Sequence, residues 1–123
     1  MDTDDAIDPL DSLVDDWLPL PDVALLLGTD ITRVRGLLDD GLLVALRRGT
    51  PKVLSVPRAL VVPGPLPELP GTMTVLADCG YDVEGALRWL LTPDDTLPAR
   101  TPLAMLRAGH KTEVRRRAQS LGF

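Results

Sequence analysis

Residues 20–58 read LPDVALLLGTDITRVRGLLDDGLLVALRRGTPKVLSVPR, and this stretch decides the fold. Apolar residues recur at helical spacing in its first third, with a proline and an aspartate suited to a first helical turn. Gly28 follows them, and glycine commonly stands just past a helix C-terminus. Thr29 or Asp30 can cap a second helix, which Gly41 ends. The pattern therefore predicts two short helices joined by a tight turn.

Two helices so closely joined are typical of a helix-turn-helix motif, whose second helix commonly enters the DNA major groove. The apolar residues of the second helix predict one buried face. Thr32, Arg33 and Gly36 lie away from that face, and Arg35 lies near its boundary. The side chains suited to meet DNA are therefore concentrated on one side of this helix.

The apolar period changes after the second helix, where residues 42–46 are continuously apolar and partly β-branched. Arg47 and Arg48 follow them. The Gly-Thr-Pro turn at residues 49–51 then leads to a returning strand over residues 52–56, which a proline ends. Two helices and a two-stranded hairpin with basic residues at its tip predict a winged helix, in a mainly α protein with a small β-hairpin wing.

The run LPDVALLLGTDITRVRGLLDDGLLVALRR resembles the small winged-helix domains of the excisionase and MerR-like type. The whole chain is similar to a family of actinobacterial winged-helix DNA-binding proteins that are substrates of a membrane serine/threonine protein kinase. The shared features are an acidic N-terminal tail, the winged helix, an RWL-x-TP segment (residues 88–93 here) and an EVRRRAQ segment (residues 113–119 here). The resemblance covers residues 17–123. It implies a double-stranded DNA partner, a kinase partner and a phosphoacceptor threonine in the tail, where Thr3 is the one threonine.

Composition divides the chain into four segments. They are an acidic tail over residues 1–16, the winged helix over 17–58, a proline-rich connector over 59–71 and a helical region over 72–123. The tail is a like-charge run, so we expect its first dozen residues to be disordered. An alternative is a single helical turn that docks on the body through the apolar residues of the tail, which are Ile7, Leu10, Leu13 and Val14.

The net charge of −5 conceals an uneven distribution of charge. Residues 1–16 hold seven aspartates and no basic residue, whereas residues 17–58 hold six basic residues against four aspartates. Residues 59–123 balance at seven against seven. The basic residues therefore concentrate on the elements predicted to read DNA, which supports a nucleic-acid surface.

The C-terminal region predicts a small bundle of short helices with short loops. Helices are expected at residues 72–80, at residues 82–91 with Asp82 as the cap, from Thr101 onward, and at residues 111–121. The connector before them contains four prolines and two glycines, so it is not a helix interior. It is expected to begin by continuing the last strand of the wing.

Arg33 and Arg35 are the residues predicted to enter the groove, since an arginine fork can read guanine O6 and N7 together. Thr32 is predicted to donate to a phosphate or to a base edge. The alternative is a solvated helix face, on which the arginines pair with nearby aspartates.

Arg47, Arg48 and Lys52 are predicted to contact the DNA backbone from the wing, which fixes register without reading sequence. The alternative is a charged hairpin tip that keeps an edge strand soluble. Trp17 is expected to be a core or lid residue rather than a binding platform. The arginines at residues 115–117 point in three directions, so a solvated face is favoured over a secondary phosphate contact.

Cys79 and His110 are the single cysteine and the single histidine, so neither an internal disulfide nor a structural zinc site is predicted. No phosphate-cradling glycine loop or acid–base pair stands out, so we expect no enzyme activity, no cofactor and no metal site. No apolar run reaches the roughly 18 residues of a membrane span, and the N-terminus lacks the positive region of a signal peptide. We therefore expect a cytoplasmic, nucleoid-associated protein.

The favoured function is a transcriptional regulator that inserts its second helix in the major groove and is modulated by phosphorylation of its tail. Two alternatives remain open. Residues 88–114 also resemble the toxin-binding region of some antitoxins, which would make the C-terminal helices a protein-interaction module. An excisionase-like architectural factor that bends DNA with few base contacts is the other.

Overall fold

The computed structural model describes residues 9–121. Within that range the elements, in chain order, are α1 (Pro9–Leu13), β1 (Trp17–Pro19), α2 (Leu20–Leu27), α3 (Ile31–Asp39), β2 (Leu46–Arg48), β3 (Val53–Pro57), α4 (Arg58–Val61), α5 (Leu69–Asp78), α6 (Val83–Leu91), α7 (Pro102–Arg107) and α8 (Lys111–Leu121). They form two compact units. Among the described residues, the winged-helix unit is Val14–Pro67, and the C-terminal unit is residues 68–121 together with α1.

The two helices of the helix-turn-helix lie where the sequence predicts them. Leu20 and Val23 bury one face of α2, and the helix ends at Gly28, whose φ of 68° is a left-handed conformation that glycine adopts at little cost. The backbone N–H of Thr29 donates to the carbonyl of Ala24 at 2.9 Å, which closes the turn. α3 therefore begins directly after α2.

The sheet has three antiparallel strands in the order β1-β3-β2. β2 and β3 form the predicted wing hairpin, and Leu18 and Val56, which are paired across β1 and β3, are buried. β1 was not predicted, because three residues between two aspartates and a helix-starting proline show no alternating pattern. It gives the hairpin a third strand and fixes Trp17 opposite Pro57.

The predicted strand over residues 42–46 is wrong except at Leu46, where β2 begins. The backbone N–H groups of Leu42 and Leu43 instead both donate to the carbonyl of Leu37, so this stretch extends the end of α3. Leu43 is buried there. The apolar run reflects core packing rather than strand pairing, and a short apolar run does not distinguish the two.

The chain after the wing also differs from the expectation of a continued strand. β3 includes Pro57, and the short helix α4 follows at once with Leu60 and Val61 buried. The N–H of Arg58 donates to the carbonyl of Asp16 at 2.9 Å, which ties the start of α4 to the residue before β1. Proline cannot donate a backbone hydrogen bond to a neighbouring strand, so it is tolerated at a residue where the chain leaves the sheet.

The C-terminal unit contains α5 to α8 with the predicted helix caps. Asp82 Oδ1 accepts from the N–H of Gly85 at 2.7 Å, and Thr101 Oγ1 accepts from the N–H of Ala104 at 3.1 Å. α5 begins at Leu69, three residues before the expected start, because a proline is tolerated in a first helical turn. No described helix has the length and apolar character needed to cross a membrane.

The N-terminal helix α1 belongs to the C-terminal unit, where it packs on α6. Leu10 is fully buried. The expectation of disorder is therefore wrong for residues 9–12, and the alternative of a docked helical turn is confirmed for Leu10. Thr3 and Ile7 lie outside the described residues.

Candidate nucleic-acid interface

The N-terminus of α3 is capped by Asp30, which is one of the two caps that the sequence predicts, the other being Thr29. Its carboxylate Oδ1 accepts from the backbone N–H of Arg33 at 2.9 Å. The cap has an extended backbone, so the chain turns sharply from α2 into α3. A capped helix of nine residues is held in register, so the side chains that it presents have fixed directions.

The residues of α3 lie on two opposite faces, one buried and one exposed. Val34 and Leu37 are buried, whereas Thr32, Arg33 and Arg35 are exposed. Successive residues are rotated by about 100° around a helix, so Arg33 and Arg35 leave the exposed face on opposite flanks. Gly36 is partly exposed and lies between the two flanks, one turn beyond Thr32.

The guanidinium groups of Arg33 and Arg35 are not paired with the aspartates around them. Asp30, Asp39 and Asp40 are exposed at the ends of α3, and no ion pair joins them to either arginine within residues 9–121. The described structure therefore lacks the ion pairs of the solvated-face alternative, although both arginines are exposed. The two cations remain available to a ligand, and the aspartates mark both ends of the surface they can cover.

The three basic residues of the wing do not share one environment. Arg47, which pairs with Leu54 across the hairpin, and Lys52, in the turn, are exposed. Arg48 is half-buried, and its guanidinium carbon lies 4.9 Å from the centroid of the Trp17 ring. Because side chains alternate between the faces of a strand, Arg47 and Arg48 point to opposite faces of the sheet.

Trp17 thus supports Arg48 through a cation–π contact and is half-buried, in agreement with a lid residue. Arg48 Nη1 also donates to the carbonyl of Arg47 at 3.3 Å. The charge of Arg48 is therefore partly engaged within the protein, whereas Arg47 and Lys52 present theirs to solvent.

The three consecutive arginines of α8 are held within the C-terminal unit. Arg115 Nε donates to Thr72 Oγ1 at 3.1 Å, and Arg117 Nε donates to Glu113 Oε2 at 2.9 Å. Arg116 also pairs with Glu113, but its own side chain is 73% exposed. Hydrogen bonds from Arg117 and then Arg116 lower the pKa of Glu113 below its ordinary value. The predicted solvated face describes Arg116 alone.

Open, mainly apolar cavities lie in both units of the described chain. One of about 210 Å³ lies in the winged-helix unit beside Arg33 and is lined by Leu27, Thr29, Leu37 and Pro65. In the C-terminal unit a groove of about 460 Å³ runs between α5 and α6. Among the described residues no three His, Cys, Asp or Glu side chains come close enough together to hold a metal ion.

Comparison with known proteins gives the same two regions. A family model described as the DNA-binding protein Rv2175c, wHTH domain, matches residues 3–61, and one described as the Rv2175c C-terminal domain of unknown function matches residues 66–122. The chain is 36% identical over 135 residues to the DNA-binding protein Rv2175c of Mycobacterium tuberculosis (strain ATCC 25618 / H37Rv), a match that covers 98% of this chain and 87% of the relative.

The NMR structure of Rv2175c aligns with this chain at a TM-score of 0.68 and 34% sequence identity, covering 88% of this chain and 82% of that one. At this identity the likeness extends beyond the fold to the sequence itself. The chain therefore belongs to the Rv2175c family, in which a winged helix-turn-helix domain of the DNA-binding type precedes a C-terminal domain.

Proposed function

We propose that this chain binds double-stranded DNA through its winged-helix unit and acts as a transcriptional regulator rather than as an enzyme. The observation that carries the proposal is the exposed face of α3, where Arg33 and Arg35 have no acidic partner within the described residues. Leaving two cations unpaired on the second helix of a helix-turn-helix is what major-groove binding requires. The relative at 36% identity is named a DNA-binding protein.

In this proposal Arg33 and Arg35 read base edges, because each guanidinium fork can donate to guanine O6 and N7 together. Thr32 donates to a phosphate or a base edge. Arg47 and Lys52 contact the backbone from the wing, and Arg48 adds a contact from its place beside Trp17. Asp39 and Asp40 repel phosphates, so the contact surface on α3 is restricted to its first two turns.

The test is a fluorescence-anisotropy titration of the full chain with pooled duplex DNA at several salt concentrations. Wild-type affinity is expected to fall steeply with salt, since each neutralised phosphate releases counterions. The double variant Arg33→Ala/Arg35→Ala is expected to bind at least tenfold more weakly, at about 1–3 kcal/mol for each fork. The control with equal charge loss is Arg88→Ala/Arg116→Ala, which removes two exposed arginines of the C-terminal unit.

Loss of affinity in both double variants alike would show that only net charge matters, and the groove assignment would be wrong. Absence of binding by the wild type at low salt would overturn the proposed function. Binding that depends on salt but is equal for all sequences would favour the architectural alternative over a regulator.

We also propose that the acidic tail lowers DNA affinity and that phosphorylation of Thr3 by a serine/threonine kinase lowers it further. The support is the concentration of seven aspartates in residues 1–16, because negative charge near a basic surface competes with phosphate. A phosphate group would add about −1.5 to −2 charges to this segment.

Removal of residues 1–8 is the appropriate test, because it deletes four of the seven aspartates and keeps α1. A longer truncation to residue 16 would also remove the buried Leu10 and the carbonyl that accepts from Arg58. The shortened chain is expected to bind DNA more tightly at low salt, with the difference fading as salt rises. Equal affinity of the two chains at low salt would contradict the tail hypothesis.

A further inference from the structure

Three glycines lie inside the described helices, and at two of them a neighbouring side chain occupies the space that a Cβ would need. A Cβ on Gly71 in α5 would lie 2.6 Å from Nη2 of Arg115, and a Cβ on Gly85 in α6 would lie 3.0 Å from Oδ1 of Asp82. Each glycine therefore makes room for a side chain that packs against its helix. Both lie in the C-terminal unit.

At Gly36 in α3 no neighbouring side chain of the described residues occupies that space. Apart from its chain neighbours and the backbone of its own helix, a Cβ built there would have no heavy atom of the described residues within 4 Å. The residue lies inside a regular helix rather than at a turn that needs a positive φ. Glycine in a helix interior destabilises the helix relative to alanine, because it loses more backbone freedom on folding. The free protein would therefore be more stable with alanine at this position.

The surroundings of Gly36 indicate what the missing side chain admits. It lies on the exposed side of α3, between the flanks from which Arg33 and Arg35 extend. An α-helix with its side chains is about 10–12 Å across, and the major groove is about 12 Å wide. A helix that enters such a groove comes nearest to the base edges along the middle of its exposed face.

We propose that Gly36 is the point at which the backbone of α3 approaches the bases most closely, so that its missing Cβ sets the depth of the helix in the groove. This inference rests on the proposed DNA binding. It adds a positioning residue that carries no charge and donates no side-chain hydrogen bond. With Gly36 in place, the short approach lets the two flanking arginines reach base edges on either side.

The test compares Gly36→Ala and Gly36→Leu in the full chain, because alanine and leucine are both good helix formers. Thermal unfolding of both variants is expected at a higher temperature than that of the wild type. DNA affinity is expected to fall about fivefold or more for alanine, the low end of what overpacking costs, and further for leucine. A residue with a purely structural role would not move stability and affinity in opposite directions.

The salt dependence separates this effect from lost charge. The slope of affinity against salt is expected to change less in the glycine variants than in Arg33→Ala/Arg35→Ala, which loses two cations. Wild-type affinity in both glycine variants, alongside weak binding by the arginine variant, would overturn the inference and leave the proposed function standing. A lower unfolding temperature for Gly36→Ala would also overturn it. Absence of DNA binding by the wild type would instead reject the proposed function.

Discussion

Arg115 and Thr72 are joined by a hydrogen bond of 3.1 Å from Nε to Oγ1, which links α8 to α5 across 43 positions of sequence. The Nη2 group of Arg115 also donates to the carbonyl of Glu68 at 3.2 Å, and Thr72 is fully buried. The guanidinium therefore covers the first turn of α5, over the space that Gly71 leaves open. In a unit built of short helices, this is a long-range polar contact that fixes how two of them pack.

Arg115→Ala is expected to destabilise the protein by about 1–3 kcal/mol, because it removes two hydrogen bonds from a charged donor at a partly buried site. Arg116→Ala, one residue along and largely exposed, is expected to cost no more than about 0.5 kcal/mol. Urea denaturation of the two variants measures the difference. Equal midpoints would mean that the Arg115 contact contributes no more than a surface charge.

Arg47→Ala and Arg48→Ala change adjacent residues of the wing, and only Arg48→Ala is expected to lower stability as well as DNA binding. Arg47 is exposed, so its loss is expected to lower the salt slope of DNA binding by about 1 and to leave the unfolding temperature unchanged. Loss of Arg48 also removes the contact with Trp17, worth about 0.5–1 kcal/mol of stability. Thermal unfolding and anisotropy titrations of both variants check this, and an equal effect on stability would contradict it.

Leu10→Ala is expected to destabilise the C-terminal unit by about 2–4 kcal/mol, because it removes a fully buried side chain from the contact between α1 and α6. The matched control is Leu25→Ala in α2, whose side chain is 79% exposed and whose loss is expected to change stability by less than about 0.5 kcal/mol. Chemical denaturation followed by circular dichroism distinguishes the two. A Leu10 variant as stable as the control would show that α1 is not docked in solution.

Asp94 is expected to make part of the stability of the C-terminal unit depend on pH. Its pKa is lowered by hydrogen bonds from the Thr96 hydroxyl at 2.7 Å and the Thr96 N–H at 2.9 Å, and by the charge of Arg117. A carboxyl whose pKa is lower in the folded state stabilises the fold above its unfolded pKa of about 3.9, and the contribution is lost as pH falls through the folded value.

The measurement is the stability of Asp94→Asn relative to wild type, followed from neutral pH to acid. The wild type is expected to be the more stable at neutral pH, with the difference shrinking once the pH falls below about 4. Asp95→Asn is the control, because that exposed carboxylate makes none of these hydrogen bonds. If the stability difference between wild type and Asp94→Asn stayed the same in acid, the contribution of Asp94 would not depend on the charge of its carboxylate.

The helices of the winged-helix unit were predictable because their start and stop signals are local. Gly28 and Asp30 perform the roles that residue type and spacing indicate, and the family comparison confirms the winged helix. The strands were less predictable, because pairing depends on residues far apart in sequence. The partner of β1 lies about 40 positions away, and nothing within Trp17–Pro19 indicates it.

The candidate site was predictable in its residues but not in their environments. The sequence predicted one role, contact with the DNA backbone, for both Arg47 and Arg48. In the structure the two side chains lie on opposite faces of the sheet, because successive residues of a strand alternate between its faces. The place of Gly36 on the helix surface could be read from periodicity. Its lack of any neighbour could not, since this requires knowing what packs against α3 and what does not.

The placement of α1 in the C-terminal unit has a consequence for the order in which the chain folds during synthesis. The winged-helix unit, Val14–Pro67, is complete before the residues of α6 are made. Leu10 leaves the ribosome long before α6, the helix on which α1 packs, has been made. The unit that contains both early and late segments is therefore expected to complete its fold after the winged-helix unit.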